Sequence, residues 1–172
     1  MKLRMMFPVA AALVLLSCGS TKTTTSTSTN SAYNVPSTIQ TSFTTQYPTA
    51  NNVVWSAYDV ATVPVDWELT GWTTLSPTDH AVTFDLDGNK YHAWYDANGN
   101  WIGSAYAVTN TTSLPAAINT TITNRYPGYT IDQVQREMWK DHMAYEVKLK
   151  NGDNKVKLLV DENGNVLKEK TK

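Results

Sequence analysis

Residue types on which disulfides, metal clusters and catalysis commonly depend are scarce in this sequence. The 172-residue chain has one cysteine, Cys18, so it can form no internal disulfide and no multi-cysteine metal site. Its three histidines lie in strand or turn contexts without a nucleophile motif, and Gly103-Ser104 lacks the Gly-x-Ser-x-Gly elbow. We therefore expect no enzyme and no cofactor.

An excess of charge of one sign is also missing. The formal net charge is −1, which gives no electrostatic basis for binding nucleic acid. The charge is nevertheless uneven, because residues 35–104 hold one lysine, Lys90, against seven acidic residues, whereas residues 114–172 hold ten basic and eight acidic ones. The sequence therefore predicts an acidic first half and a mildly basic second half.

No apolar run is long enough to span a membrane. Residues 5–16 are apolar, about a dozen positions where a spanning helix needs about 20. The run follows a positively charged start and closes on a Leu-Leu-Ser-Cys motif that ends at Cys18, which resembles the bacterial lipobox with its lipidated cysteine. We expect a lipoprotein signal peptide over residues 1–17 and lipidation at Cys18; an ordinary signal peptide with a chance cysteine is the alternative.

A polar segment separates Cys18 from the part of the chain that can fold. Residues 20–29 are mostly Thr and Ser, which bury too little apolar surface to fold. Residues 18–34 are therefore predicted to be a lipidated cysteine and flexible tether, although the same tract also suits O-linked glycans. The anchor implies a location in the bacterial cell envelope, facing the periplasm or exposed at the surface, with membrane contact through Cys18.

The remaining sequence contains an internal repeat. Tyr47-Pro48 recurs 79 positions later, and Asn98-Gly99 recurs 65 positions later. The difference of 14 means that the first copy carries 14 additional residues, at about 59–78. The sequence therefore predicts two copies, residues 35–106 and residues 107–172.

Each copy is predicted to be one helix followed by four antiparallel strands. Apolar residues recur every fourth position from Val35 and again from Leu114, which gives each helix one buried stripe. Residues 143–150 and 155–160 then alternate between apolar and polar, with Asn151-Gly152 where a hairpin turn belongs. The expected fold class is α+β, a tandem repeat of a helix and a four-stranded antiparallel sheet with the helices on one sheet face.

The order of these motifs resembles that of a known family. The two Tyr-Pro dipeptides, the strands at 52–55 and 81–84, and the segment Ala-Trp-Tyr-Asp-Ala-Asn-Gly-Asn-Trp at 93–101 are similar to the PepSY-like family of bacterial envelope proteins, also described as β-lactamase-inhibitor-like. The resemblance covers nearly all of the chain after the tether. It implies two helix-plus-four-strand units in tandem and a non-catalytic binding or inhibitory role, and it identifies no target.

Five of the six tryptophans lie in the first copy. Comparison with the second copy predicts that His92 and Trp94 point away from the helix, and a two-residue turn at Asn98-Gly99 would place Trp101 diagonally next to Trp94. These three residues are therefore candidates for an exposed aromatic binding patch. The alternatives are that the insertion, the other unit or a dimer mate covers this face, and that a different loop length turns Trp101 to the opposite face.

The insertion at about 59–78 is aromatic and acidic. Its segment 65–72 includes Trp67 and Trp72 and alternates well enough to form a strand or a long hairpin arm. Because loops on a rigid framework often carry function, both tryptophans are candidate binding residues. The purely structural interpretation is that the segment only extends the first hairpin.

Two functional hypotheses follow. The first is a module that binds an unknown envelope protein on a sheet face, and the second is a module that binds a cation, a peptide or a glycan. A purely structural envelope protein is a third possibility. The acidic turns at 85–89, 96–99 and 161–164 lack the spacing of a calcium loop, so turn chemistry explains them better than a metal site.

Overall fold

The computed structural model describes residues 33–71, 75–140 and 142–171, so Cys18, Trp72 and the predicted signal peptide lie outside the described residues. The helices are α1 (Ser37–Gln46), α2 (Trp67–Thr70) and α3 (Ala116–Arg125). The strands are β1 (Asn51–Ala57), β2 (His80–Leu86), β3 (Asn89–Tyr95), β4 (Trp101–Ala107), β5 (Thr130–Trp139), β6 (His142–Asn151), β7 (Asn154–Val160) and β8 (Val166–Thr171). Across the described ranges, no helix is both long and apolar enough to cross a membrane.

The strands form one antiparallel sheet in the order β1 to β8, in which every strand pairs with its neighbours in the chain. Strand β4 pairs with β5 from Ser104–Met138 to Ala107–Gln135, so the sheet continues without a break from the first half into the second. The predicted α+β class and the antiparallel pairing are confirmed. The strands share one eight-stranded sheet rather than two separate ones.

Helices α1 and α3 pack on the same face of this sheet, the helix side. Each begins directly after a proline, where the missing N–H costs no helical hydrogen bond. Their buried residues lie one turn apart, as the sequence pattern predicts: Ile39 and Phe43 in α1, Ile118 and Ile122 in α3. Two apolar clusters result, one between α1 and strands β2 and β3, the other between α3 and strands β5 to β7.

The face opposite the helices, the outer face, is partly covered by the insertion. Trp94 lies on this face, as predicted, but only 2% of it is exposed. Val65 and Leu75 of the insertion pack against Trp94 and Ala105. The expectation of an exposed aromatic patch is therefore wrong, and the alternative of coverage by the insertion is confirmed.

Trp101 lies on the helix side. Trp94 pairs with Gly103 as predicted, but the next pair is Tyr95 with Trp101, because Ile102 is an additional residue in β4 and forms a β-bulge. The bulge shifts the alternation by one position, so Trp101 packs against the α1 cluster. The predicted diagonal contact between Trp94 and Trp101 is therefore wrong.

The insertion contains short helical turns instead of the expected strand or hairpin arm. A 3-10 helix covers Val60–Thr62, and α2 follows it. The Asp59 carboxylate accepts a hydrogen bond from the backbone N–H of Ala61 at 2.9 Å, and the Asp66 carboxylate accepts one from Leu69 at 3.3 Å. Such local side-chain bonds to the backbone compete with strand pairing and favour helical turns.

The acidic turns use their carboxylates internally. Asp96 Oδ1 accepts hydrogen bonds from the backbone N–H groups of Asn98 and Asn100, both at 2.8 Å. Asp161 Oδ1 does the same with Asn163 and Asn165, at 3.0 and 2.8 Å. These contacts agree with the interpretation of both turns as self-bonded turns.

The turn after β7 packs tightly against α3, which gives a first prediction. A Cβ added at Gly164 would lie 2.7 Å from the carbonyl oxygen of Ala117 and 2.8 Å from Thr121 Oγ1, and φ is +83°. Gly164→Ala should lower the free energy of unfolding by about 2–4 kcal/mol, because a positive-φ penalty of about 1–2 kcal/mol adds to overpacking. Urea unfolding followed by circular dichroism measures this loss.

Gly152→Ala is the matched control. Gly152 also has a positive φ, +57°, but nothing lies within 4 Å of an added Cβ. Its loss should stay near the backbone penalty alone, about 1–2 kcal/mol. Equal losses in the two variants would contradict the tight packing of the turn against α3.

Candidate binding surface

The outer face of β6 to β8 carries six lysines, which we call the lysine face. Alternate residues of a strand point to the same side, and lysine occupies most of the outward positions here. The six are Lys148 and Lys150 on β6, Lys155 and Lys157 on β7, and Lys168 and Lys170 on β8. The strand register places Lys148, Lys157 and Lys170 side by side.

The insertion forms a wall beside this row. Val63 and Pro64 line one side of a groove of about 390 Å³, and Lys148, Lys157 and Lys170 line its floor. We call this cavity the lysine groove. Its lining combines an apolar wall with three lysines and two acidic residues, Asp66 and Glu146, and the excess of one lysine suits recognition of an anionic group next to apolar side chains.

Asp66 fixes the insertion to the second half of the sheet. Its Oδ2 lies 2.6 Å from Nζ of Lys157 and 3.6 Å from Nζ of Lys170. Its backbone N–H donates a hydrogen bond to Glu146 Oε2 at 2.7 Å. Burial alone would raise the pKa of Asp66, but the hydrogen bond and charge of Lys157 outweigh burial and lower that pKa. The wall of the groove is therefore held by ionic and backbone contacts to its floor.

Two carboxyl groups are buried on the outer face near Asp66. Glu137 is 0% exposed and Glu146 is 1% exposed. Burial, and after it the neighbouring Glu146, raises the pKa of Glu137 to about 9. Among the described residues, neither carboxyl oxygen of Glu137 has a hydrogen-bond partner, so burial strongly disfavours the charged form of this group.

His92, Trp94 and Trp101, which sequence analysis singled out, lie outside the lysine groove. Trp94 is buried under the insertion, and Trp101 lies on the helix side. His92 is half-buried next to Trp94, with ring centroids 6.4 Å apart, and burial lowers the pKa of His92. Trp67 belongs to α2; its role in binding, like that of Trp72, stays a prediction.

Sequence analysis missed the lysine groove and the buried carboxyl pair. The alternating pattern of the strands predicts that these lysines point outwards. It does not predict that the insertion packs beside them. Among residues 33–71, 75–140 and 142–171, no group of three His, Cys, Asp or Glu side chains could hold a metal ion.

The buried pair gives a pH prediction. The pKa of Glu137 is about 9 in the folded protein against an ordinary value of 4.5, so the folded state holds the proton more firmly than the unfolded state. The contribution of Glu137 to the free energy of unfolding is complete below about pH 4.5 and is lost as the pH rises towards about 9. Glu137→Gln stays neutral, so its free energy of unfolding should fall less over this range.

Denaturant unfolding at a series of pH values tests this, with Glu162→Gln as a control at an exposed turn position. The wild-type protein and the control should lose stability in parallel, and Glu137→Gln should be the most stable of the three at about pH 9. The same slope in all three proteins would show that Glu137 does not hold a proton in the fold.

Several solved structures share this fold. A BLIP-like protein from Bacteroides fragilis is 23% identical, with a TM-score of 0.64 over 81% of this chain and 89% of that protein. A DUF2874 family protein from Bacteroides ovatus is 18% identical, with a TM-score of 0.64 over the same shares. A Bacteroides eggerthii protein described as "putative periplasmic" is 15% identical, with a TM-score of 0.62 over 81% of this chain and 90% of that protein.

No curated protein matches the sequence. A family match covers residues 79–168, which is 90 of the 172 residues and reaches from β2 into β8. The family is described as "Putative beta-lactamase-inhibitor-like, PepSY-like". Because the match exceeds half of the chain, the resemblance seen in the sequence motifs is confirmed at the level of the family: this chain belongs to the PepSY-like family.

Proposed function

We propose that the chain is a non-catalytic module of the bacterial cell envelope that binds an acidic surface of a partner protein in the lysine groove. The single observation that carries the proposal is the groove itself, with three lysines on its floor and an apolar wall. The family description and the BLIP-like neighbour support a binding role over a catalytic one.

The charge of the outer face favours an acidic partner. Six lysines face outwards on β6 to β8, and the described acidic side chains that form ion pairs with them include Asp66, Glu146 and Asp132. Counted over the described side chains, the lysines of this face outnumber these carboxylates, although the whole chain has a net charge of −1. Complementary charge steers association and selects partners, so an acidic surface is the matching chemistry.

The rim of the groove offers apolar contacts. Val60 is 66% exposed at the end of the insertion, next to Val63 and Pro64. Interfaces combine apolar and polar contacts, and the exposed Val60 beside the lysines offers both. We infer a partner segment that carries carboxylates next to apolar side chains.

The proposed location rests on the first residues of the chain. The Leu-Leu-Ser-Cys motif at Cys18 supports a lipid anchor, and the neighbour described as "putative periplasmic" supports an envelope location. Residues 18–34 would then act as the tether between the membrane and the sheet. The repeated order of one helix and four strands supports two diverged tandem copies, residues 35–106 and 107–172.

Capture from a native envelope extract tests the proposal, with tagged wild-type protein beside two double variants. Lys148→Gln/Lys170→Gln removes two charges from the groove and keeps Lys157, which holds Asp66 and the insertion. Lys150→Gln/Lys155→Gln is the control, because it removes the same charge from the lysine face outside the groove. We expect the groove variant to capture at most about a tenth of the partner that the wild-type protein captures. The control variant should capture nearly as much as the wild-type protein.

The captured protein should present an acidic segment, and its retention should fall with rising salt. If both variants capture as much partner as the wild-type protein does, the groove is not part of the interface. Equal loss in both variants would show that only the overall charge matters, which also contradicts docking in the groove.

A further inference from the structure

A second cavity lies on the helix side, where the two halves of the sheet meet. Arg136 of β5 is paired across the strands with Tyr106 of β4 and Tyr145 of β6. Its neighbours along β5 on the same face are Val134 and Met138, so the arginine occupies a position that otherwise faces a core. The helix side therefore holds a cation between its two apolar clusters.

The guanidinium group of Arg136 has weak partners. Its Nη1 donates to the hydroxyl of Tyr106 at 3.1 Å, and its Nε and Nη2 both reach Sδ of Met143, at 3.0 and 2.6 Å. A thioether is a weak acceptor, and a guanidinium has five N–H donors. Within the ranges that the structure describes, no carboxylate forms an ion pair with Arg136.

The cavity beside Arg136 has a volume of about 270 Å³. Tyr106 and Tyr145 line it together with three polar residues, Asn89, Asn110 and Ser113. The Arg136 guanidinium carbon lies 5.8 Å from the centre of the Tyr145 ring. Burial raises the pKa of Tyr145, so its hydroxyl keeps its proton at neutral pH.

We propose that this cavity binds the carboxylate group of a small organic acid, with Arg136 as the anchoring residue. The planar fork of a guanidinium matches a carboxylate through two parallel hydrogen bonds, which gives geometry as well as charge. The tyrosine rings and Leu114 provide surface for an apolar body next to that carboxylate. The site is separate from the lysine groove, which lies on the opposite face of the sheet.

Proton–nitrogen correlation NMR of the full chain provides a direct measurement, because the Nε–H signal of Arg136 reports on its partners. The probes are acetate, hippurate, its uncharged amide hippuramide, and inorganic phosphate. Acetate and hippurate should shift the Arg136 signal to saturation, hippurate at lower concentration because its ring adds apolar contact. Hippuramide should leave the signal in place, and phosphate should act more weakly than hippurate.

Three variants, one of them a control, assign the effect to the fork of Arg136. Arg136→Lys keeps the positive charge but loses the paired donors of the guanidinium. We expect this variant to bind hippurate at least tenfold more weakly than the wild-type protein, as measured by calorimetry. Arg125→Lys is the matched control at an exposed arginine of α3 and should bind as the wild-type protein does. Tyr106→Phe removes one partner of Arg136 without touching its charge and should change hippurate binding several-fold.

Three results would overturn the proposal. The first is that neither carboxylate shifts the Arg136 signal of the wild-type protein, a test that needs no variant to fold. The second is that phosphate shifts it at lower concentration than hippurate, which would make the cavity a general oxyanion site. The third is unchanged hippurate binding by Arg136→Lys. None of these results depends on whether a partner protein docks in the lysine groove.

Discussion

A sheet has two faces, and α1 and α3 can cover only one of them. The outer face carries Trp94 and Leu159, which would otherwise lie open to water. The insertion between β1 and β2 covers these residues, although it is too short to form a second helical layer. Its hold on the sheet depends on Asp66, whose carboxylate and backbone N–H reach Lys157 and Glu146. These contacts of Asp66, together with the packing of Val65 and Leu75 against Trp94 and Ala105, set the shape of the outer face.

The insertion divides the outer face into two parts with different chemistry. Under it, the aromatic ring of Trp94 and the carboxyl of Glu137 are withdrawn from solvent. Beside it, the lysines of β6 to β8 remain accessible along a wall that the insertion itself provides. Trp94 and Trp101 thus pack in the apolar clusters of the fold, and lysines at ordinary outward strand positions line the groove.

Local features could be predicted from the sequence, and features that depend on distant contacts could not. The helical stripes, the proline starts and the Asp-Asn-Gly turns are set by residues a few positions apart, and all of them are present. The side of Trp101 depends on one additional residue, Ile102, whose bulge appears only when β4 pairs with β3. Coverage of Trp94 depends on a loop that reaches across the sheet, which no periodicity encodes.

The sequence contains one indication of the helix-side cavity, a charged residue at a core-facing strand position. The alternation of β5 places Arg136 between Val134 and Met138 on the core-facing side, and a charged residue at such a position calls for a partner. The sequence alone does not predict that Tyr106 and Met143 are the partners of Arg136. The pairing of β4 with β5, across the joint of the two halves, brings Tyr106 to Arg136, and the pairing of β5 with β6 brings Met143.

Strands β1 and β8 lie at the two ends of an open sheet, where unpaired backbone groups invite another sheet to add on. The last strand carries Lys168, Glu169 and Lys170 in succession, and charged side chains on an edge disfavour such pairing. The first strand is interrupted near Asn52, whose φ is +51°, so it presents no straight edge. Lys170, which belongs to the floor of the groove, therefore also helps to protect the edge of the sheet against edge-to-edge aggregation.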